Sequence, residues 1–176
     1  MTDEHYMKLA IKEAKKSIET HDVPIGCVIV KDGKIIAKSH NEKEKHMLAT
    51  DHAEMIAIKK ASAKIKHWRL HECTLYVTLE PCSMCAGAII NSRISRVVFG
   101  AYDKERGALS SKLNLGLYNL ECSPKIDGGI YKDECAKLLS DFFSVRTASS
   151  PLPSTPIINP RPNLVCSTII PSLNLE

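Results

Sequence analysis

A chain of 176 residues, 44% hydrophobic and 25% charged, is long enough for one domain with a real core and does not clearly supply two. Its formal net charge of +4 permits a nucleic-acid partner without demanding one, and its apolar runs PIGCVIV and CAGAII are far too short to cross a bilayer. The opening MTDEHYMKLAIKEAKK has no apolar stretch of signal length, so the expected compartment is a reducing cytoplasm, where seven cysteines, an odd number, argue against a disulfide framework.

In chain order, residues 3–19 place Tyr6, Met7, Ala10, Ile11, Ala14 and Ile18 at helical spacing, which predicts an amphipathic helix with lysines outside. PIGCVIVKDGKIIAKS reads as two strands around the tight turn KDGK, where Gly33 takes a positive φ. HNEKEKHMLAT is a polar loop, and Thr50 or Asp51 is expected to cap a helix in DHAEMIAIKKASAKI that turns Ala53, Ile56 and Ala57 inward. CTLYVTL is a buried strand by composition, followed by a helix, CSMCAGAIINS, with Pro81 near its first position. ISRVVFGAYD supplies another strand and DECAKLLSDFF a last amphipathic helix. Strands alternating with helices predict a layered α/β sheet with at least one parallel crossover.

After about Ala148 the composition changes. The last segment holds six of the nine prolines and no periodic pattern. The expected organisation is therefore a folded domain over residues 1–148 and a flexible Pro/Ser-rich tail over residues 149–176.

Two thiols, Cys82 and Cys85, stand behind Pro81 in a C-x-x-C run, which in a reducing compartment means metal or redox chemistry. About thirty residues earlier His52 and Glu54 form an H-x-E pair at another helix start. One imidazole and two thiolates make a three-ligand set, typical of catalytic zinc, whose fourth tetrahedral position stays open. Glu54 is placed to move protons to and from a water there, and helix N-termini favour the thiolate form of both cysteines. Alone, the C-x-x-C could be a redox pair and the H-x-E a capped helix start. The order H-x-E then P-C-x-x-C is the zinc deaminase signature.

The segments DVPIGCVIV, HAEM, TLYVTLEPCSMCAGAIINSRISRVVFGA and LLSDFF resemble the bacterial-type tRNA-specific adenosine deaminases, over residues 5–146. The resemblance implies a three-layer α/β/α fold of the cytidine deaminase-like superfamily, with a central mixed sheet of about five strands. It also implies one zinc ion per subunit on His52, Cys82 and Cys85, with Glu54 as proton shuttle for attack on C6 of adenine. The product would be inosine at the tRNA wobble position. At matching positions Asn41 would contact the flipped nucleotide, the Ala53 N–H the base, Asp103 the substrate strand, and Phe143 and Arg146 the anticodon loop. A homodimer is implied as well. Asp51, where the family often has a small residue, is expected to cap the helix. A deaminase of free bases or nucleotides such as guanine or cytosine shares the metal chemistry and is the alternative.

The remaining candidates have plainer readings. Cys27, Cys73, Cys122 and Cys135 fall in strand or helix patterns and are expected to be small buried hydrophobes. In KHWRLH, Trp68 is expected to anchor a loop, and Lys59, Lys60, Lys64 and Lys66 to line a solvated helix face.

Overall fold

The computed structural model describes residues 2–117 and 123–149, the side chains of the last four excepted. Five strands form one mixed sheet in the order β2-β1-β3-β4-β5. They are β1 (Gly26–Lys31), β2 (Lys34–His40), β3 (Cys73–Leu79), β4 (Arg96–Ala101) and β5 (Lys125–Gly128). Five helices accompany it, α1 (Asp3–Ala14), a single turn α2 (Lys43–His46), α3 (Ala53–Ile65), α4 (Ser83–Asn91) and α5 (Lys132–Ser149). β1 runs antiparallel to β2 and β3, while β3, β4 and β5 are mutually parallel. Helices α3 and α4 cover one face and α1 and α5 the other, giving the expected three-layer α/β/α fold.

Most elements follow from their sequences. The KDGK turn puts both Asp32 (φ 50°) and Gly33 (φ 71°) in the left-handed region, as the two-residue hairpin turn requires. β3 is nearly continuous in apolar residues because it lies at the centre of the sheet, buried on both faces. Gly26 is obligatory for a different reason. A Cβ there would lie 2.0 Å from the Ala10 carbonyl oxygen and 2.4 Å from the Ala14 nitrogen, so α1 rests its backbone directly on β1.

Five local expectations need correction. The first helix ends at Ala14 and tightens into a 3₁₀ stretch, Lys15–Thr20, which leaves Ile18 44% exposed instead of inward. The chain must turn there, because fully buried Asp22 accepts the Thr20 hydroxyl (2.9 Å) and the Glu44 and Lys45 amides (2.6 and 3.2 Å), pinning the start of α2 inside the stretch read as plain loop. Asp51 does not cap α3. His52 occupies the cap position without a side-chain cap bond, and Asp51 Oδ2 instead meets His46 Nδ1 at 2.7 Å. Pro81 lies outside α4, which starts at Ser83 after Cys82, and the Pro81 carbonyl accepts the Ala108 amide at 2.9 Å. Trp68 is 51% exposed with the Arg69 guanidinium 4.1 Å above its ring, and fully buried Leu70 anchors the loop.

β5 carries no strand pattern of its own. Its four residues pair with β4, and Asp127 accepts Arg96 Nε at 2.7 Å. Cys27, Cys73 and Cys135 are buried as expected, whereas Cys122 and the tail beyond Ser149 lie outside the described residues. Among the described residues no helix is long and apolar enough to cross a membrane.

Candidate metal centre and its cavity

The site lies where two helix starts meet. His52 and Cys82 hold extended backbone at the cap positions of α3 and α4, and their carbonyls accept the amides of Ile56 (3.1 Å) and Ala86 (2.8 Å). Each backbone is thus committed to its helix while the side chain stays free to point elsewhere. Cys85 follows in the first turn of α4, and α3 packs against α4. His52 Nδ1 comes within 3.7 Å of Cys82 Sγ and 3.6 Å of Cys85 Sγ, and the three atoms lie within 4.8 Å of one another.

Those separations fit a zinc ion. Metal–sulfur and metal–nitrogen bonds of about 2.3 and 2.0 Å at the tetrahedral angle put sulfur and nitrogen about 3.5 Å apart. No other group of three His, Cys, Asp or Glu ligand atoms so close together occurs among the described residues. The electrostatics agree with the donor set. The Cys82 thiol is pulled down to about 4 by hydrogen bonding with Cys85 and with His52, against partial burial. Cys85 is pushed far up by the neighbouring Cys82 and by burial, and His52 is raised by its bond to Cys82. A divalent metal would take the place of the proton that Cys85 otherwise keeps.

Glu54, in the first turn of α3, is 4% exposed, and burial raises its carboxyl above the ordinary range. Its Oε2 is fully buried and has no hydrogen-bond partner within the protein. The same holds for Oδ1 of Asn41, which sits at the end of β2 with its own amide on the Ile25 carbonyl (2.9 Å). Buried oxygens left without partners cost stability unless something else binds them. Both residues border a cavity of about 570 Å³ that His52 and Cys82 also line. That volume is of the size that takes a drug-sized ligand, more than a single base needs.

The structure brings most of the expected site residues to this cavity. Asp103 and Phe143 line it, the latter together with Leu139 of α5. The Asp103 carboxylate is already engaged, accepting the Glu105 and Arg106 amides at 3.0 Å each. Ala53 keeps its methyl in the core, and its amide occupies the first position of α3, where no intrahelical acceptor exists. Arg146 lies within α5, but its side chain is outside the described residues.

Sequence reasoning missed a second group of cavity residues. Lys43 enters from α2, and Tyr102, Lys104 and Arg106 from the loop after β4. Glu80, only 2% exposed, sits beneath that loop. A charge closing the apolar run CTLYVTLE was the available signal for Glu80. The loop basics carried none, because nothing local shows which way a loop faces.

Comparison with known proteins agrees with this geometry. The family model of MafB19-like deaminases matches residues 1–144. A tRNA-specific adenosine deaminase of Bacillus subtilis is 47% identical over 144 residues, covering 80% of this chain and 88% of that protein. The one from Aquifex aeolicus is 43% identical, covering 81% and 95%. A solved structure from work on A-to-I editing by tRNA:A34 deaminases superposes with a TM-score of 0.74 at 40% identity, covering 77% of this chain and 99% of its own. With its five-stranded mixed sheet and its His-Cys-Cys cluster at two helix starts, the chain is a deaminase and belongs to the family of the tRNA-specific adenosine deaminases.

Proposed function

We propose that this protein converts the wobble adenosine of a tRNA anticodon to inosine, hydrolytically, with one zinc ion per subunit held by His52, Cys82 and Cys85. The observation that carries the reading is the pair of buried, unpartnered oxygens, Glu54 Oε2 and Asn41 Oδ1, beside that cluster in a cavity larger than one base. Its match to named tRNA-specific adenosine deaminases supports the substrate. Bound at the cluster, zinc supplies Lewis acidity that brings the pKa of water toward ~7.

The chain's own groups supply the rest. Glu54 takes a proton from the water whose oxygen attacks C6 of adenine, and it returns protons to the ring nitrogen and to the departing amino group. A C–O bond forms and the C6–N bond breaks, so adenosine and water become inosine and ammonia. Burial that raises the Glu54 carboxyl suits it to both halves of this transfer. Asn41 Oδ1 accepts from the flipped nucleotide, and the Ala53 amide donates to the base. Asp103, Phe143 and Arg146 meet the anticodon strand. An anticodon loop presents its base already unstacked, which spares the protein the cost of extrusion from a duplex.

The working unit in this reading is a cytoplasmic homodimer. Supporting it, α4 buries Cys85, Ala86, Ile89 and Ile90 and keeps Met84, Gly87 and Ala88 half-buried, while Met47 and Leu48 beside the site are 91% and 52% exposed. In this reading the deaminase domain spans residues 1–148, so removing residues 149–176 is expected to leave activity intact.

Purified protein incubated with an anticodon stem-loop carrying a wobble adenosine, and separately with free adenosine, guanine and cytosine, is expected to form inosine within the stem-loop and release ammonia from it alone. Ammonia from guanine or cytosine with an inert stem-loop would move the chain to the free-base branch of the fold. Light scattering that gives a monomer at micromolar concentration would refute the dimer.

A further inference from the structure

Glu80 leaves β3 one residue before Pro81 and two before the ligand Cys82, and its carboxylate is spent entirely on one loop. Oε1 accepts the amides of Leu109 (3.3 Å), Ser110 (2.8 Å) and Ser111 (2.8 Å). Oε2 accepts the Asp103 amide (3.2 Å) and the Ser111 hydroxyl. Successive backbone N–H groups that converge in this way form an anion nest, here filled by a side chain of the same protein. The fit leaves no room. A Cβ on Gly107 would lie 2.4 Å from both Glu80 Cδ and Oε2.

The loop so held is the cavity wall that carries Tyr102, Asp103, Lys104, Glu105 and Arg106. It is also tied to the metal-binding segment through the Ala108 amide on the Pro81 carbonyl (2.9 Å) and a bridge between Cys82 and Gly107. Burying a carboxylate is costly, and five donors offset that cost only while the loop keeps this shape. A loop packed by apolar contacts alone could slide relative to the zinc ligands. One anchored on Glu80 cannot, because the residue that holds it is two residues from Cys82 in the segment between β3 and α4.

We propose that Glu80 is a positioning residue for RNA binding, which registers the wall of residues 102–106, with its cations Lys104 and Arg106, against the metal cluster and so sets affinity for the anticodon strand without touching the reacting atoms. This rests on the reading of the chain as a tRNA deaminase. Glu80→Gln keeps the shape but turns one acceptor into a donor facing donors.

The full-length, zinc-loaded Glu80→Gln protein is therefore expected to retain one zinc per chain and nearly the wild-type kcat on the stem-loop, with KM raised about tenfold. By hydrogen exchange, the amides of residues 103 and 109–111 should exchange about tenfold faster while those of β3 and β4 stay as they were. Arg106→Ala should raise KM in the wild type and add little to Glu80→Gln, since a displaced Arg106 has already lost its contact. If Glu80→Gln folds poorly, Ser111→Ala removes a single donor and should raise KM about twofold in the same direction. Unchanged exchange at 109–111, unchanged KM, or a fall in kcat at constant KM each overturns the proposal. A wild type inert toward the stem-loop overturns the substrate reading, and with it the RNA half of this one, while faster exchange in the variant would still uphold the anchoring half.

Discussion

On the face of the sheet under α3 and α4 the core is laid with alanines, Ala53, Ala57, Ala61 and Ala86, against Cys27, Val77 and Phe99, whereas the face under α1 and α5 is filled by Tyr6, Met7, Ile11, Tyr76 and Val98. Small side chains let two helices settle close to the sheet and to each other, so their starts converge and bring His52, Cys82 and Cys85 together. Bulky side chains on the opposite face fasten with their polar tips. Tyr6 donates to the Gly33 carbonyl at 2.8 Å, Tyr76 to Asp3 at 2.8 Å, and Arg96 grips Asp3 with two bonds of 2.8 and 2.7 Å. The chemistry therefore depends on where two backbones end, and much of the fastening on what side chains reach. Damage to the first face should remove activity and spare stability, and damage to the second should do the reverse.

The largest expected effect is on the chemical face. Replacing Cys82 and Cys85 together by serine should drop zinc from one per chain to near none and abolish deamination, because two of three ligands are gone. Zinc retained in that variant, measured by metal analysis, would remove the cluster from consideration as the metal site.

Glu54→Gln comes next. It should keep its zinc and its melting temperature and lose about 10³-fold in kcat, the scale of a general acid–base role. Near-normal turnover would assign the proton transfer to another group.

Gly26→Ala strikes the fastening face, where the new methyl meets the α1 backbone at 2.0 Å. A loss of about 1–3 kcal/mol in unfolding free energy is expected, with kcat per zinc-loaded molecule unchanged. A variant as stable as the wild type would mean that α1 can shift away from β1 at little cost.

Asp3→Ala should cost less, about 1–2 kcal/mol, since the Asp3 and Arg96 side chains are 30% and 27% exposed and solvent screens the pair. Here pH is a further test. Hydrogen bonds from Arg96 hold the Asp3 carboxyl below its ordinary 3.8. A depressed folded pKa contributes stability that is complete above the unfolded value and disappears as pH falls through the folded one. The stability gap between wild type and Asp3→Ala should accordingly be constant at neutral pH and shrink below about pH 4. A gap that persists at pH 2 would show that packing, not charge, holds this corner.

Asp51→Ala should do least. Its partner His46 is 41% exposed and the pair closes only a surface loop, so a change within about 0.5 kcal/mol and little loss of kcat are expected. A large loss of activity would give Asp51 a part in shaping the approach to His52.

What could be read without the structure was whatever a short run of residues decides alone. KDGK specifies its turn because Asp and Gly tolerate positive φ, CTLYVTL specifies a central strand by its unbroken apolar content, and HAE and PCSMC each sit at a helix start that their own neighbours define. The His-Cys-Cys cluster was legible for that reason, since each half of it is local and the chemistry of a metal site restricts which residue types can serve. Tertiary structure alone decided the rest. Asn41, which only the family resemblance had singled out, reaches the cavity because the end of β2 lies beside α3, Asp51 turns from cap to partner because α2 brings His46 to it, and β5 exists because β4 offers it an edge. Glu80 shows the reason most clearly. Its partners lie 23 to 31 residues away in a loop with no periodic pattern, and a hydrogen bond across such a distance leaves no trace in the residues on either side of it.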